Sequence, residues 1–212
     1  MVAQTNDENT TQLGLSLFNL DPGSKGIDIV RTHLVDGRNA ANITFKDVHC
    51  PPDSLLGEQG MASAAIDKCL DAARIALAAE MLGSMSEAFD RTMEYLRLRN
   101  QFDVPIGSFQ ALKHRAAEMF CDIELTRSTV YRACTAMDEN DESQVARLAS
   151  LAKAKASETF ERVSNEAVQM HGGIGMTDAE EIGLFLKRAR VAQQTFGDFD
   201  FHRDRYATLS GF

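Results

Sequence analysis

The sequence has little of what would place a chain in a membrane, in an oxidising compartment or on nucleic acid. Its longest apolar stretch, Ile75-Ala76-Leu77-Ala78-Ala79, stops at Glu80, far short of the roughly 18 apolar residues that a spanning helix needs, so no membrane span is expected. Cys50, Cys69, Cys121 and Cys134 form no C-x-x-C pair and read as free or buried thiols of a reducing compartment, Cys69 and Cys134 at core positions. The N-terminus, Met1-Val2-Ala3-Gln4-Thr5-Asn6-Asp7-Glu8, has neither the basic start nor the apolar run of a secretory signal. A cytoplasmic protein is expected. Cations are outnumbered, 22 Lys and Arg against 31 Asp and Glu for a net charge of −9. That balance excludes sequence-independent nucleic-acid binding, which depends on neutralising phosphates, and an anionic ligand must find a local basic pocket.

Catalytic signatures are also scarce. His33, His49, His114, His171 and His202 have no partner at metal-ligand spacing and there is no H-E-x-x-H, so no metal site is expected. No G-x-S-x-G elbow anchors a nucleophilic triad. No internal repeat is present. What the 212 residues do have is length enough for one or two domains and for a core without disulfides or metal.

The hydrophobic period changes near residue 60. Before it, Leu13 to Leu20 and Asn42 to Val48 read as strands, with one or two more over Gly26 to Val30 and Thr32 to Val35, bounded by Asp21-Pro22-Gly23 and Pro51-Pro52. After it, Ile66, Leu70, Ala73, Leu77, Met81, Met85 and Ala88 make one stripe of a long helix. A second helix starts near Ser108, its stripe carried by Leu112, Ala116, Phe120, Ile123, Val130 and Cys134. The acidic stretch 138–142 ends it, and Ser143 caps a third helix with Val145, Leu148, Ala152, Ala156, Phe160, Val163 and Ala167 inside. Thr177-Asp178-Ala179-Glu180 reads as a capping box opening a fourth helix through Phe196. The expected fold is therefore mainly α: a partial β-domain over residues 1–60 and an antiparallel long-helix, four-helix bundle over 61–212. Small residues such as Ala72, Ala76 and Ala79 suit either a closed bundle or one that also packs on copies of itself.

Two clusters are ambiguous on residues alone. His171-Gly172-Gly173-Ile174-Gly175 follows a helix, so it is either a C-cap turn or a place where bare backbone admits a bulky ligand. Arg97, Arg99, Lys113, His114 and Arg115 flank a Pro-Ile-Gly turn and are either a solvated face or a pyrophosphate site.

Four segments together resemble the acyl-CoA dehydrogenase family. Arg99-Asn100-Gln101-Phe102-Asp103-Val104-Pro105-Ile106-Gly107-Ser108-Phe109-Gln110 is similar to its R-x-Q-F-x-x-P-I-x-x-F-Q signature, and Gln169 to Gly175 to its Q-x-x-G-G-x-G turn. Leu70-Asp71-Ala72-Ala73-Arg74 matches L-D-x-x-R, and Phe45-Lys46-Asp47-Val48-His49-Cys50-Pro51 matches F-x-D-V-x-V-P. Order and spacing agree from about Gly14 to the C-terminus.

The resemblance implies an FAD flavoenzyme that dehydrogenates acyl-CoA and passes electrons to electron-transfer flavoprotein or a similar acceptor. It implies a homodimer or homotetramer, with a hetero-oligomer as the alternative. By the same resemblance Arg99 binds the FAD pyrophosphate, Gln101, Phe102, Phe109 and Gln110 line its adenosine-diphosphate part, and Gln169, Gly172 and Gly173 cradle cofactor from a neighbouring subunit. Asp71 and Arg74 face the acyl-CoA. In the family a carboxylate takes the α-proton while the β-hydrogen leaves as hydride to the flavin. Counted without gaps from Gln169, the glutamate position is Phe196, and the alternative base position is Ala73. Neither accepts a proton. Either Asp198 serves instead, or the base lies on a paired, non-identical subunit. The family's N-terminal helical domain and first half of its β-domain have no counterpart in these residues, so the expectation is a C-terminal fragment inactive alone, or an oligomerisation module.

Overall fold

The computed structural model describes residues 1–6 and 13–212; Asp7 and Glu8 of the acidic N-terminal stretch lie outside the described residues. The chain divides into two compact units, Met1–Leu70 and Asp71–Phe212.

In the first unit, β1 (Val2–Asn6) and β2 (Leu13–Phe18) pair antiparallel, Val2 opposite Leu17. Two further strands, β3 (Ile27–His33) and β4 (Asn39–Phe45), form a separate antiparallel hairpin, and β5 (Leu55–Leu56) lies on the other edge of β2. The strand β1 was not evident in the sequence, being polar at Gln4, Thr5 and Asn6. Gly14 has a steric reason: a Cβ there would lie 2.4 Å from the carbonyl oxygen of Gly60, so only glycine lets these two backbone segments meet. The β3–β4 hairpin forms where strands were read, but no alternation of burial accompanies it: β4 is exposed throughout, Ile43 and Phe45 included, and Val30 is exposed on β3.

The second unit is helical. Three long helices, α1 (Ser63–Leu98), α2 (Gln110–Asp138) and α3 (Glu142–His171), are followed by the short α4 (Ile182–Gln194) and α5 (Phe199–Leu209). Between α1 and α2 the chain makes a small hairpin of β6 (Asn100–Gln101) and β7 (Val104–Pro105). The fold class expected from the sequence is the one observed. At 36 residues α1 is about 54 Å long, a length stabilised by packing rather than propensity.

The core is built on α3, which packs against α2, α4 and α5. Ala149, Ala152, Ala156 and Ala167 are fully buried on it and let neighbours approach closely, while Phe160 and Val163 fill the space between. Ile75, Met81 and Met85 of α1 and Met119, Ile123 and Val130 of α2 complete the cluster. Methionine suits such gaps because its unbranched stem adapts to irregular volume. No helix among the described residues is long and apolar enough to cross a membrane.

Several local expectations are corrected. Ser143 is not the cap of α3: its hydroxyl donates to Asp141 Oδ1 at 2.6 Å, and the helix opens one residue earlier, at Glu142. Thr177 does not cap α4, because its hydroxyl donates back to the Ile174 carbonyl at 2.8 Å, closing the 3₁₀ turn Gly172–Met176; α4 begins only at Ile182. The fourth helix ends at Gln194, so Phe196 lies in the turn before α5. Phe120 is exposed, because the buried stripe of α2 runs one residue away through Met119, Ile123, Thr126 and Val130. Cys69 is also exposed rather than core. Phe160→Ala should destabilise the protein by about 3–5 kcal/mol, since the rigid surroundings of α3 cannot collapse into the cavity; urea unfolding measures it, and a loss under about 1 kcal/mol would show a loosely packed centre.

Candidate functional site

At the turn between α4 and α5 the buried cationic side chain Lys153, the buried Arg74 and the buried imidazole of His202 converge. Phe196 has φ of 60° and Gly197 φ of 106°, a left-handed pair in which the phenylalanine is strained by roughly 1–2 kcal/mol. The carbonyls exposed by this turn receive their hydrogen bonds from side chains. Arg74 Nε donates to the Phe196 oxygen at 3.1 Å, and His202 Nε2 reaches the same oxygen at 3.1 Å. Lys153 Nζ donates to the Gly197 oxygen at 2.9 Å and to the Gln193 oxygen at 3.1 Å.

These donors come from three helices and are nearly all removed from water: Arg74 is 6% exposed, and Lys153 and His202 are fully buried. Arg74 also pairs with Asp71 Oδ1 at 2.8 Å, and Asp71 Oδ2 accepts from Arg205 at 2.9 Å. One carboxylate between two guanidiniums offsets part of the cost of burying all three charges. Arg205 continues to Ser150 Oγ at 2.8 Å, and Ser150 lies 3.4 Å from His202 Nδ1. Those partners assign the proton of neutral His202 to Nε2, facing the Phe196 oxygen.

Burial governs the titration of Lys153 and His202. Desolvation lowers Lys153 to about 8, with Asp198 acting in the opposite direction and Arg74 in the same one. His202 is lowered to about 4, first by desolvation and then by the nearby positive charges of Lys153 and Arg74. At neutral pH the site therefore holds an ammonium and an uncharged imidazole.

The residues singled out in the sequence are placed as follows. Asp71 and Arg74 are paired with each other and buried within the unit. Ala73 offers only a half-buried methyl. Phe196 is 42% exposed. Asp198 is the N-cap of α5: its Oδ1 accepts from the Phe201 backbone N–H at 2.9 Å, and an aspartate at this place satisfies one of the helix's orphan donors. Lys153 and Arg205 were missed, and His202 was weighed only as a metal ligand. The available signal was Lys153 itself, a lysine beside Ala152 and Ala156 on an otherwise apolar stripe.

A second group lies at the C-terminal ends of α1 and α3. The β6–β7 hairpin turns through Phe102 and Asp103, with φ of 55° and 62°, the mirror-image turn that matches strand twist. Phe102 projects outward, 86% exposed, its ring edge-to-face with Phe109 at 6.0 Å between centroids. Arg99, Gln101 and Gln110 are exposed around it, and among the described residues no carboxylate pairs with Arg99. Arg115 is instead paired with Glu166 and leaves the basic cluster. Gly107 is required, since a Cβ would lie 2.9 Å from the Leu96 oxygen.

Tyr95 links this end of α1 to the glycine turn, stacking on His171 at 4.3 Å between rings and donating to its carbonyl at 3.2 Å. Gln169, Gly172 and Gly173 are exposed there. A Cβ built on Gly173 meets nothing within 4 Å, whereas on Gly175 it would lie 2.9 Å from the Val168 oxygen. Packing within the chain thus explains Gly175 but not Gly173, and the backbone at 173 is open to a body outside this chain. An uncompensated guanidinium, exposed aromatic rings and open backbone fit a flat, anionic dinucleotide.

The arrangement defines a long-helix domain carrying an exposed arginine hairpin and a braced turn. The chain belongs to the acyl-CoA dehydrogenase family: the profile of the acyl-CoA dehydrogenase C-terminal domain matches residues 59–208. The short-chain specific acyl-CoA dehydrogenase of Megasphaera elsdenii is 30% identical over 190 residues, 88% of this chain and 49% of that protein. The acyl-CoA dehydrogenase IpdE2 of Mycolicibacterium smegmatis is 39% identical over 127 residues, 60% of this chain and 39% of that protein. Among solved structures, butyryl-CoA dehydrogenase from Megasphaera elsdenii superposes with a TM-score of 0.90 at 27% identity, covering 99% of this chain and 55% of its own. A steroid ACAD named as Tcur3481-Tcur3483 superposes with a TM-score of 0.83 at 31% identity, over 93% of this chain and 52% of its own. The chain spans about half the length of the relatives it matches.

The depressed His202 has a pH consequence. Between pH 6.5 and about 4 the unfolded chain takes up a proton there that the folded protein does not, so stability is lost as pH falls, by up to about 3 kcal/mol. Urea unfolding of wild type and His202→Gln across pH 4–7 should show a shallower acid loss in the variant. Parallel curves would mean that His202 is not held neutral.

Proposed function

We propose that these residues form the C-terminal half of an FAD-dependent acyl-CoA dehydrogenase and bear cofactor-facing and substrate-facing groups without a proton acceptor of their own. The observation that carries the reading is the α4–α5 turn. Counted without gaps from Gln169, this turn holds Phe196 at the position where the resemblance expects the glutamate, and the engagement of the nearest following acid, Asp198, as a helix cap supports the reading. Phe196 and Phe201 give this face an apolar surface, which suits an acyl chain and disfavours water.

FAD, when bound, supplies the hydride acceptor. The exposed Arg99 holds its pyrophosphate oxygens, for which a guanidinium fork is well shaped. Gln101, Phe102, Phe109 and Gln110 flank the adenosine-diphosphate part, and Gln169, Gly172 and Gly173 meet cofactor from a neighbouring subunit. Asp71 and Arg74 act on the acyl-CoA side through the turn they brace rather than by free charges, since their polar atoms are bonded within the unit. The base is then supplied by a paired, non-identical subunit. A relative described by two protein names supports that assembly. Electron-transfer flavoprotein or a similar acceptor takes the electrons, and the assembly works in the cytoplasm.

Two experiments test the reading. In the assembled enzyme Arg99→Ala should weaken FAD retention by about tenfold or more, because truncating a phosphate-pairing charge strands its partner; a flavin absorbance that survives dialysis unchanged would remove Arg99 from the site. Asp198→Asn keeps an N-cap oxygen but loses the proton acceptor, and turnover of acyl-CoA should be retained. Loss of turnover with intact folding would make Asp198 the base and overturn the two-subunit reading. A colourless oligomer that never binds flavin, alone or assembled, would leave only a structural module.

A further inference from the structure

Among the largest fully buried side chains of the described residues is a lysine. Lys153 sits on α3 among Ala149, Ala152 and Ala156, has no exposed surface, and has no carboxylate in hydrogen-bonding contact among the described residues. An ammonium taken out of water without a bonded counter-charge is expensive, and it persists only where its three N–H groups are all used. Here they are: Ser157 Oγ at 3.1 Å, the Gln193 oxygen at 3.1 Å and the Gly197 oxygen at 2.9 Å. Two of the three acceptors bracket the turn that contains Phe196.

At Phe196 the turn adopts a shape that its residue type does not favour. Phe196 is left-handed without being glycine, and strained backbone survives only where the surroundings over-determine it. A methyl on Gly197 would lie 2.4 Å from the Phe201 ring, so only glycine fits at this place in the turn. The carbonyl of residue 196 is taken by Arg74 of α1 and His202 of α5, and the carbonyls on either side by Lys153 of α3. Three helices therefore fix the direction in which side chain 196 leaves the backbone.

We propose that Lys153 is a positioning residue: its ammonium locks the α4–α5 turn so that side chain 196 is presented at a fixed place on the face assigned above to the acyl group. The significance of position 196 rests on the proposed function, but the lock itself does not. An apolar side chain at 153 would leave two carbonyls unpaired inside the bundle, and the turn would lose its brace from α3 while α1 and α2 kept their packing. A neutral amine would weaken the same bonds, because hydrogen bonds from a charged donor are roughly twice as strong as neutral ones.

The groups facing Lys153 are Arg74, paired with Asp71, from α1; Asp198, His202 and Arg205 from the α5 side; and only carbonyl oxygen from α4. His202 is already neutral above pH 7. A transition of the turn near pH 8 is thus assigned to Lys153.

Backbone-amide NMR of the whole chain tests this. In wild type, the amides of residues 195–198 should shift with a midpoint near pH 8, the value to which burial lowers Lys153. In Lys153→Met that titration should vanish, and the same amides, corrected for intrinsic rates, should exchange about tenfold or more faster while the α1 and α2 centres stay protected. If Lys153 merely stabilises the bundle, protection falls evenly through the unit, which would overturn the proposal. If Lys153→Met does not fold, the wild-type titration decides alone, and turn amides without a midpoint between pH 7 and 9.5 would overturn it as well. None of these readouts depends on bound flavin, so a failure here is distinct from a failure of the proposed function.

Discussion

Burying cations at backbone carbonyls, with few carboxylates to match them, is the constraint around which the helical unit is organised. Lys153, Arg74 and Arg205 all lose most of their water in the fold, and among the described residues the only carboxylate bridging any of them is Asp71. The remaining donors must find oxygen: some is supplied by α3 itself, at Ala146, Ser150 and Ser157, and the rest by a turn whose carbonyls a regular helix would have satisfied internally. A left-handed break between α4 and α5 frees carbonyls 193, 196 and 197, and the buried donors take them. Strain in the turn and burial of charge are both costs, and the hydrogen bonds between the turn carbonyls and the buried cations offset part of each.

This coupling also separates two kinds of glycine and two kinds of charge. Gly107, Gly175 and Gly197 are dictated by contacts inside the chain, while Gly173 has open space around it. Arg74 and Arg205 are bound within the unit, while Arg99 projects with no ion-pair partner among the described residues. The groups that the chain's own packing does not explain collect at the C-terminal ends of α1 and α3, which Tyr95 and His171 join. The net charge of −9 is compatible with an anionic ligand there because the exposed Arg99, without an ion-pair partner among the described residues, contributes a positive local field, which screening confines to about a Debye length.

Much of the architecture was legible in the residues. The change of period near residue 60 separated strands from helices, and the stripes Leu77, Met81, Met85 and Leu148, Ala152, Phe160, Val163 face the core as their spacing requires. The helix ends were less legible. A Ser or Thr before an apolar run signals a cap only if its hydroxyl is not taken elsewhere, and both Ser143 and Thr177 bond backward to Asp141 and Ile174. The register of α2 slipped at Phe120 because an aromatic ring on a helix flank can rest against a neighbour, here Phe89 at 6.2 Å, and still face water.

By itself the sequence determined the class of fold, the motif residues and the absence of an acid at positions 73 and 196, because periodicity, turn chemistry and residue identity are local properties. Only the tertiary structure decided what Asp71, Arg74, Lys153, Arg205 and His202 do. Their partners are separated from them by up to 134 positions in the chain, and a buried charge acquires its role from whichever carbonyl or carboxylate the fold brings within hydrogen-bonding distance.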